Sequence, residues 1–224
     1  MPRLIAFGCS NTFGSYLDKD DLYGTSNKPS VDAWPNQLAL LMVRDVVNLG
    51  EPGASNKKIW YNIVNYHFHK DDIVFILWTF KHRWCVFHRD KIMDVNWDHE
   101  SHDMNEQEYG PLPRYYKYFH TNYDDDIDLS LRLDHCTQFL NHKGLKHYHA
   151  LTESKQGLAP WITSDLPIIL EDVNAHIFTT KGKALDGQHP GKLGHKVLAK
   201  RLWRQSSNQK KLWYEYGTNN ERKK

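Results

Sequence analysis

The segment Ile73–Trp78 reads IVFILW, an unbroken run of aliphatic and aromatic side chains between Asp72 and Thr79. A strand with one face in water would alternate apolar with polar residues, so an unbroken run fits a strand covered on both faces. Such strands belong to parallel sheets flanked by helices, which restricts the chain to an α/β architecture. Residues 4–8 form a second, shorter apolar run that stops at Gly8, and residues 45–49 read as a further strand. Trp34, Leu38, Leu41 and Met42 recur at helical spacing after the turn-rich segment 24–32. Gly50, Pro52 and Gly53 break the chain, and Ser55 can then cap a helix whose buried side is Ile59, Ile63, Val64 and Tyr66.

Beyond the central run the order continues. Ile127, Leu131, Leu133, Phe139 and Leu140 mark a helix, residues 145–151 a fourth strand and residues 175–178 a short fifth. Leu193, Val197, Leu198 and Leu202 anchor a last helix. From Lys81 to about Asp126 the pattern fails, with Gly110, Pro111 and Pro113 among mixed aromatic, histidine and acidic residues, so a long insertion follows the third strand. Crossovers this long exclude hairpins, and the expected fold is a three-layer α/β/α sandwich around a parallel, five-stranded sheet. A chain of 224 residues fits one domain, read here as residues 1–206 with a basic tail over 207–224. In open sheets of this kind ligands bind beyond the carboxyl ends of the strands, where Ser10, Gly53 and the residues after Trp78 converge.

Charge narrows the function classes. The 29 Lys and Arg against 27 Asp and Glu leave a net charge of +2, too little for the field that nonspecific nucleic-acid binding needs. The basic residues of 200–224 read as a solvated, frayed terminus. Cys9, Cys85 and Cys136 are odd in number and lack CxxC spacing, so reduced thiols are expected rather than disulfides or a zinc site. His99 and His102, in NWDHESHDMNE, match no ligand spacing and read as a solvated polar loop with no metal. No stretch approaches about 18 apolar residues, and the N-terminus runs directly into a strand, so no membrane partner and a cytoplasmic location are expected.

Two segments carry chemistry. FGCSNTFG puts Ser10 just beyond a strand end, where the following amides can face an oxyanion, although the same residues also make ordinary turns. LDGQHPGKLGHKVLAKRL holds Asp186 and His189 in a turn that enters a helix. Pro190 keeps His189 extended at that entrance. A catalytic base must reach its nucleophile and be oriented by a carboxylate, and this pair meets both demands; a capping aspartate beside a solvent-facing histidine is the plainer alternative.

Taken together, FGCSNTFG, NLGEPGASN, DGQHP with GHKVLAKRL, and the accessory stretch AWPNQLA at 33–39 resemble the blocks of the SGNH (GDSL-like) hydrolase family, in order across residues 4–203. The resemblance implies a flavodoxin-like sheet, Ser10 as nucleophile and amide oxyanion donor, Gly53 as a second amide donor, and His189 as general base oriented by Asp186. It implies acyl transfer to water without a cofactor. The third block departs: the family has glycine and asparagine beyond strand three, whereas this chain reads ILWTFKHRW. A lost oxyanion donor costs about 3 to 4 kcal/mol. Asn56, Thr79, His82 or Arg83 are the replacements in reach, with Arg83 first because its guanidinium can also bind an anionic substrate.

The aromatics Trp78, Phe80, Trp84, Phe87, Trp97, Tyr115, Tyr116, Tyr118 and Phe119 fit either a sugar-stacking groove or core packing. Arg83, Trp78 and Trp84 are the expected substrate contacts. The expected activity is a serine esterase acting on a small acyl ester, with O-acetyl on a carbohydrate as a fitting glycan substrate, in a protein of bacteriophage or bacterial source. A non-catalytic carbohydrate-binding or structural protein of the same fold, and an O-acyltransferase using the same triad, are the competing readings.

Overall fold

A computed structural model describes residues 2–18, 26–88, 91–95, 120–159, 166–178 and 181–221. The unbroken run becomes β3 (Ile73–Trp78), buried at every position. β1 (Arg3–Gly8) pairs with it in parallel on one side, and β6 (Lys146–Leu151) on the other. β2 (Asp45–Gly50) lies outside β1 and β7 (Ile168–Leu170) outside β6, giving the order β2-β1-β3-β6-β7. All pairings in this five-stranded sheet are parallel. This is the flavodoxin-like order, whose strand direction puts all carboxyl ends on one edge.

Alternate residues of each strand feed two cores. Leu4, Ala6, Phe75, Leu77 and Tyr148 pack with Trp34 and Leu38 of α2 (Trp34–Met42) and Leu198 and Leu202 of α5 (Lys192–Glu221). Ile5, Phe7, Val74, Ile76 and Trp78 pack with Ile59 and Ile63 of α3 (Asn56–Asn65) and Leu129, Leu133 and Leu140 of α4 (Asn122–His142). The result is the expected three-layer sandwich. Ser55 caps α3 by accepting the Lys58 amide, and a reciprocal Thr121–Asp124 box starts α4.

Three expectations change. The fifth strand is Ile168–Leu170, while residues 174–178 form a π-helical turn. Val173, Ile177 and Phe178, all buried, pack from this turn into the core. The insertion begins with a regular antiparallel hairpin, β4 (Trp84–His88) and β5 (Lys91–Val95), and its far end is already helical at Asn122. Leu41 and Leu193, read as anchors, are 37% and 57% exposed; Ala39 and Ala199 take those places because they face the neighbouring helix. α5 continues as helical backbone to Glu221. The segment with His99 and His102, and the aromatics Trp97, Tyr115, Tyr116, Tyr118 and Phe119, lie outside the described residues.

Candidate active site

Ser10 opens α1 (Ser10–Phe13), a single turn that starts directly after β1. Two glycines let this turn lie on the sheet. A Cβ on Gly8 would stand 2.0 Å from Thr12 Oγ1, and one on Gly50 would stand 2.4 Å from the Phe13 amide nitrogen. Asn48 of β2 fastens the same turn, donating from Nδ2 to the Thr12 carbonyl at 2.8 Å while its Oδ1 accepts the Gly50 amide. Ser10 itself is 5% exposed, and its hydroxyl faces Cys9 Sγ at 4.0 Å.

The acid–base pair forms as the spacing predicts. His189 Nδ1 lies 2.5 Å from Asp186 Oδ2, and the amides of Gln188 and His189 both donate to Asp186 Oδ1 at 3.0 Å. Burial works to raise the Asp186 carboxyl, but the ring hydrogen bond, the two amides and the charge of His189 outweigh it and hold the group below its ordinary range. The carboxylate therefore fixes Nδ1 as the protonated nitrogen and leaves Nε2 as the basic one. Nε2 makes no hydrogen bond to a described residue, and no hydrogen bond joins it to Ser10 Oγ.

The two segments nevertheless meet at the same sheet edge. The Leu185 amide donates to the Tyr16 carbonyl at 3.2 Å, and the rings of Tyr16 and His189 are 5.0 Å apart. Gly53 occupies the turn after β2 with φ 79, a left-handed conformation that suits glycine. Asn56, just beyond it, clamps the chain after β3: Oδ1 accepts the Thr79 amide at 2.8 Å, and Nδ2 donates to the Thr79 and Phe80 carbonyls at 3.3 Å. Thr79 is thus tied beside the Gly53 turn.

This clamp revises two of the expected roles. The Asn56 carboxamide has both its hydrogens committed to backbone carbonyls, so it has none left for an oxyanion. Trp78 is fully buried, with its indole N–H donating to His149 Nδ1 at 2.9 Å, and presents no surface to a substrate. Trp84 lies under Lys57 Nζ, 5.4 Å from the ring centroid. His82 and Arg83 flank Phe80, the His82 ring at 5.6 Å and the guanidinium carbon at 5.3 Å. Thr79 Oγ1 and Arg83 Nη1 are both buried without a hydrogen-bond partner among the described residues. Orphaned donors are costly unless a ligand engages them, which distinguishes these two from the other replacements.

Sequence reasoning missed the ties that hold the site: Asn48 under α1, Asn56 across to Thr79, and His195 behind His189. Asn48 is a polar residue in the otherwise apolar second half of β2, the one signal that pointed to it. Past Phe80, a groove of about 410 Å³ is lined by Lys81, Glu153, Gln156, Asp172 and Asn174. Among the described residues no group of three or more His, Cys, Asp or Glu side chains is placed to hold a metal ion, and no helix is long and apolar enough to cross a membrane.

No protein-family model and no curated protein sequence matches the chain. Solved structures are similar. A protein of the G-D-S-L family from Desulfitobacterium hafniense superposes with a TM-score of 0.53 at 12% identity, over 92% of this chain and 99% of that one. A lipase/acylhydrolase from Enterococcus faecalis gives 0.50 at 11%, over 93% and 97%. An acetyl xylan esterase from the rumen bacterium Butyrivibrio proteoclasticus gives 0.55 at 12%, over 93% of this chain and 64% of that one. The fold is that of the SGNH/GDSL-like hydrolases.

Proposed function

We propose that the protein is a serine esterase that hydrolyses a small acyl ester through an acyl-Ser10 intermediate. The observation that carries the reading is the 2.5 Å Asp186–His189 contact, held at the same sheet edge as a serine that opens a helical turn. Ser10 Oγ swings from Cys9 Sγ toward His189 Nε2, loses its proton to that nitrogen and attacks the ester carbonyl. Asp186 stabilises the imidazolium that forms. His189 then returns the proton to the departing alcohol, and water repeats the sequence to release the acid.

The oxyanion faces the amides of Ser10 and Gly53. Thr79 Oγ1 takes the role of the missing asparagine, since its tether to Asn56 keeps it beside the Gly53 turn and its hydroxyl has no partner among the described residues. Arg83 Nη1, buried without a partner among the described residues, binds negative charge beside it. The polar groove beyond Phe80 suits a hydroxyl-rich alcohol, which favours O-acetyl on a carbohydrate among possible esters. The likeness to an acetyl xylan esterase supports that direction at the level of fold. Turnover of p-nitrophenyl acetate that disappears in Ser10→Ala is the expected result; turnover that persists unchanged in Ser10→Ala would remove the proposal.

A further inference from the structure

His195, on the first turns of α5, is 1% exposed and takes no part in the acyl transfer described above. Its Nδ1 accepts the Trp34 amide at 3.1 Å. Its accepting Nδ1 puts the proton of a neutral ring on Nε2, and the nearby Pro190 carbonyl favours the ring's charged form. Pro190 follows His189 directly. Trp34 in turn donates from Nε1 to Thr12 Oγ1 at 3.3 Å, and Thr12 lies on the same turn as Ser10.

We propose that His195 is a positioning residue for the Ser10–His189 pair, a buried imidazole that fixes the turn carrying His189 to the entrance of α2 and, through Trp34, to the Ser10 turn. The path His195–Trp34–Thr12 runs from the first turn of the helix that follows the base to a residue on the nucleophile's turn, entirely through buried groups. A second, more exposed path runs from Lys192 to Asp32 and through Ser30 to the Phe13 carbonyl, and the direct backbone link, Leu185 to Tyr16, lies on the other side of the Asp186 turn. Neutrality is built into the arrangement: a second proton would put a donor against the Trp34 amide. Burial and the nearby charge of His189 oppose that proton and hold His195 at about 3, against the pull of the Pro190 contact and Asp32. The mechanical consequence is that the gap from Ser10 Oγ to His189 Nε2 is set by an element that touches neither atom.

The proposal rests on the esterase reading for its kinetic effect, so the test carries a second readout that does not. In His195→Leu, which keeps bulk and removes the hydrogen bond to Trp34, kcat for p-nitrophenyl acetate should fall roughly 10- to 100-fold with KM nearly unchanged, the effect of a misplaced base rather than lost binding. The low-field proton resonance of His189 Nδ1–H, assigned by its loss in His189→Ala, should shift or broaden in the same variant. His195→Gln, which keeps a donor and an acceptor, should recover part of both, and Trp34→Phe, which cuts the link to Thr12, should lower kcat by a smaller factor. If His195→Leu does not fold, the Gln and Phe variants decide. Folded variants with kcat and the His189 resonance both unchanged overturn the proposal. So does an equal loss in Leu and Gln variants with the resonance in place. Absence of esterase activity in the unaltered protein would sink the functional reading, while the resonance would still decide the role of His195.

Discussion

Among the described residues two aspartate–histidine pairs form, and Asp186–His189 is the one that lies against the Ser10 segment, through Tyr16. Asp186 and His189 are 2.5 Å apart with side chains 16% and 23% exposed; Asp125 and His120 are 2.8 Å apart and 6% and 8% exposed. Their carboxylates move in opposite directions. Asp186 is held below the ordinary range, whereas burial raises Asp125 to about 6 against the charge and hydrogen bond of His120, with Asp128 and Asp126 adding to the rise. Asp186 receives two backbone amides in addition to the ring, so its charge is secured and it can stabilise a forming imidazolium. Asp125 sits among other acids at the start of α4 and is a structural partner. An imidazole–carboxylate contact is therefore not a catalytic signature by itself; the amide donors and the serine decide.

The largest expected difference follows from that contrast. His189→Ala or Asp186→Asn should lower ester turnover by about 10³- to 10⁴-fold, whereas His120→Ala, measured on folded protein, should leave kcat within about threefold of the original. Equal losses from the two pairs would erase the distinction. Next in size is the third oxyanion donor: Thr79→Val should lower kcat about 100-fold with little change in KM, and Arg83→Ala should act mainly on KM for anionic esters. A Thr79→Val enzyme with unaltered kcat would move the donor role to Arg83.

Histidines that pair with no carboxylate sharpen the comparison through pH. His149 is fully buried, and burial together with His147 holds it well below 6.5, while His195 is held at about 3. Both have folded values below the unfolded one, so the unfolded chain binds protons that the native state refuses. Their contribution is complete above about pH 6.5 and is lost as pH falls below it, at about 1.4 kcal/mol per pH unit for His195. Urea unfolding from pH 7.5 to 5 should show that loss, and His149→Leu should flatten part of the slope; a slope identical in the variant contradicts the assignment. The smallest effect is Thr121→Ala, which removes the cap of the helix carrying Asp125. It should cost about 1 kcal/mol in thermal unfolding and leave esterase rates unaltered.

The parts of the fold legible in the sequence were those with an unambiguous period. Ile73–Trp78 and the strands beside it could only be buried, and Asp186 and His189 met because their separation is set by a local turn. Ile168–Leu170 was missed because a three-residue strand next to Pro167 carries almost no periodic signal, and the apolar residues 175–178 drew the reading toward themselves. Trp78 was misread as a substrate contact because an aromatic at a strand's end looks alike whether it faces the groove or the core. His149, which holds its indole, lies far along the chain. The same limit applies to Asn48, Asn56 and His195, whose partners are set by sheet order and helix packing rather than by neighbours in sequence.

The central claim is that Ser10 and His189 work as one unit. Reaction with a fluorophosphonate ester, followed by intact mass and peptide mapping, tests it most directly. A single adduct on Ser10 that vanishes in His189→Ala and survives in His120→Ala is the predicted result. No adduct on folded protein, or labelling of Ser10 at the same rate without His189, would contradict it.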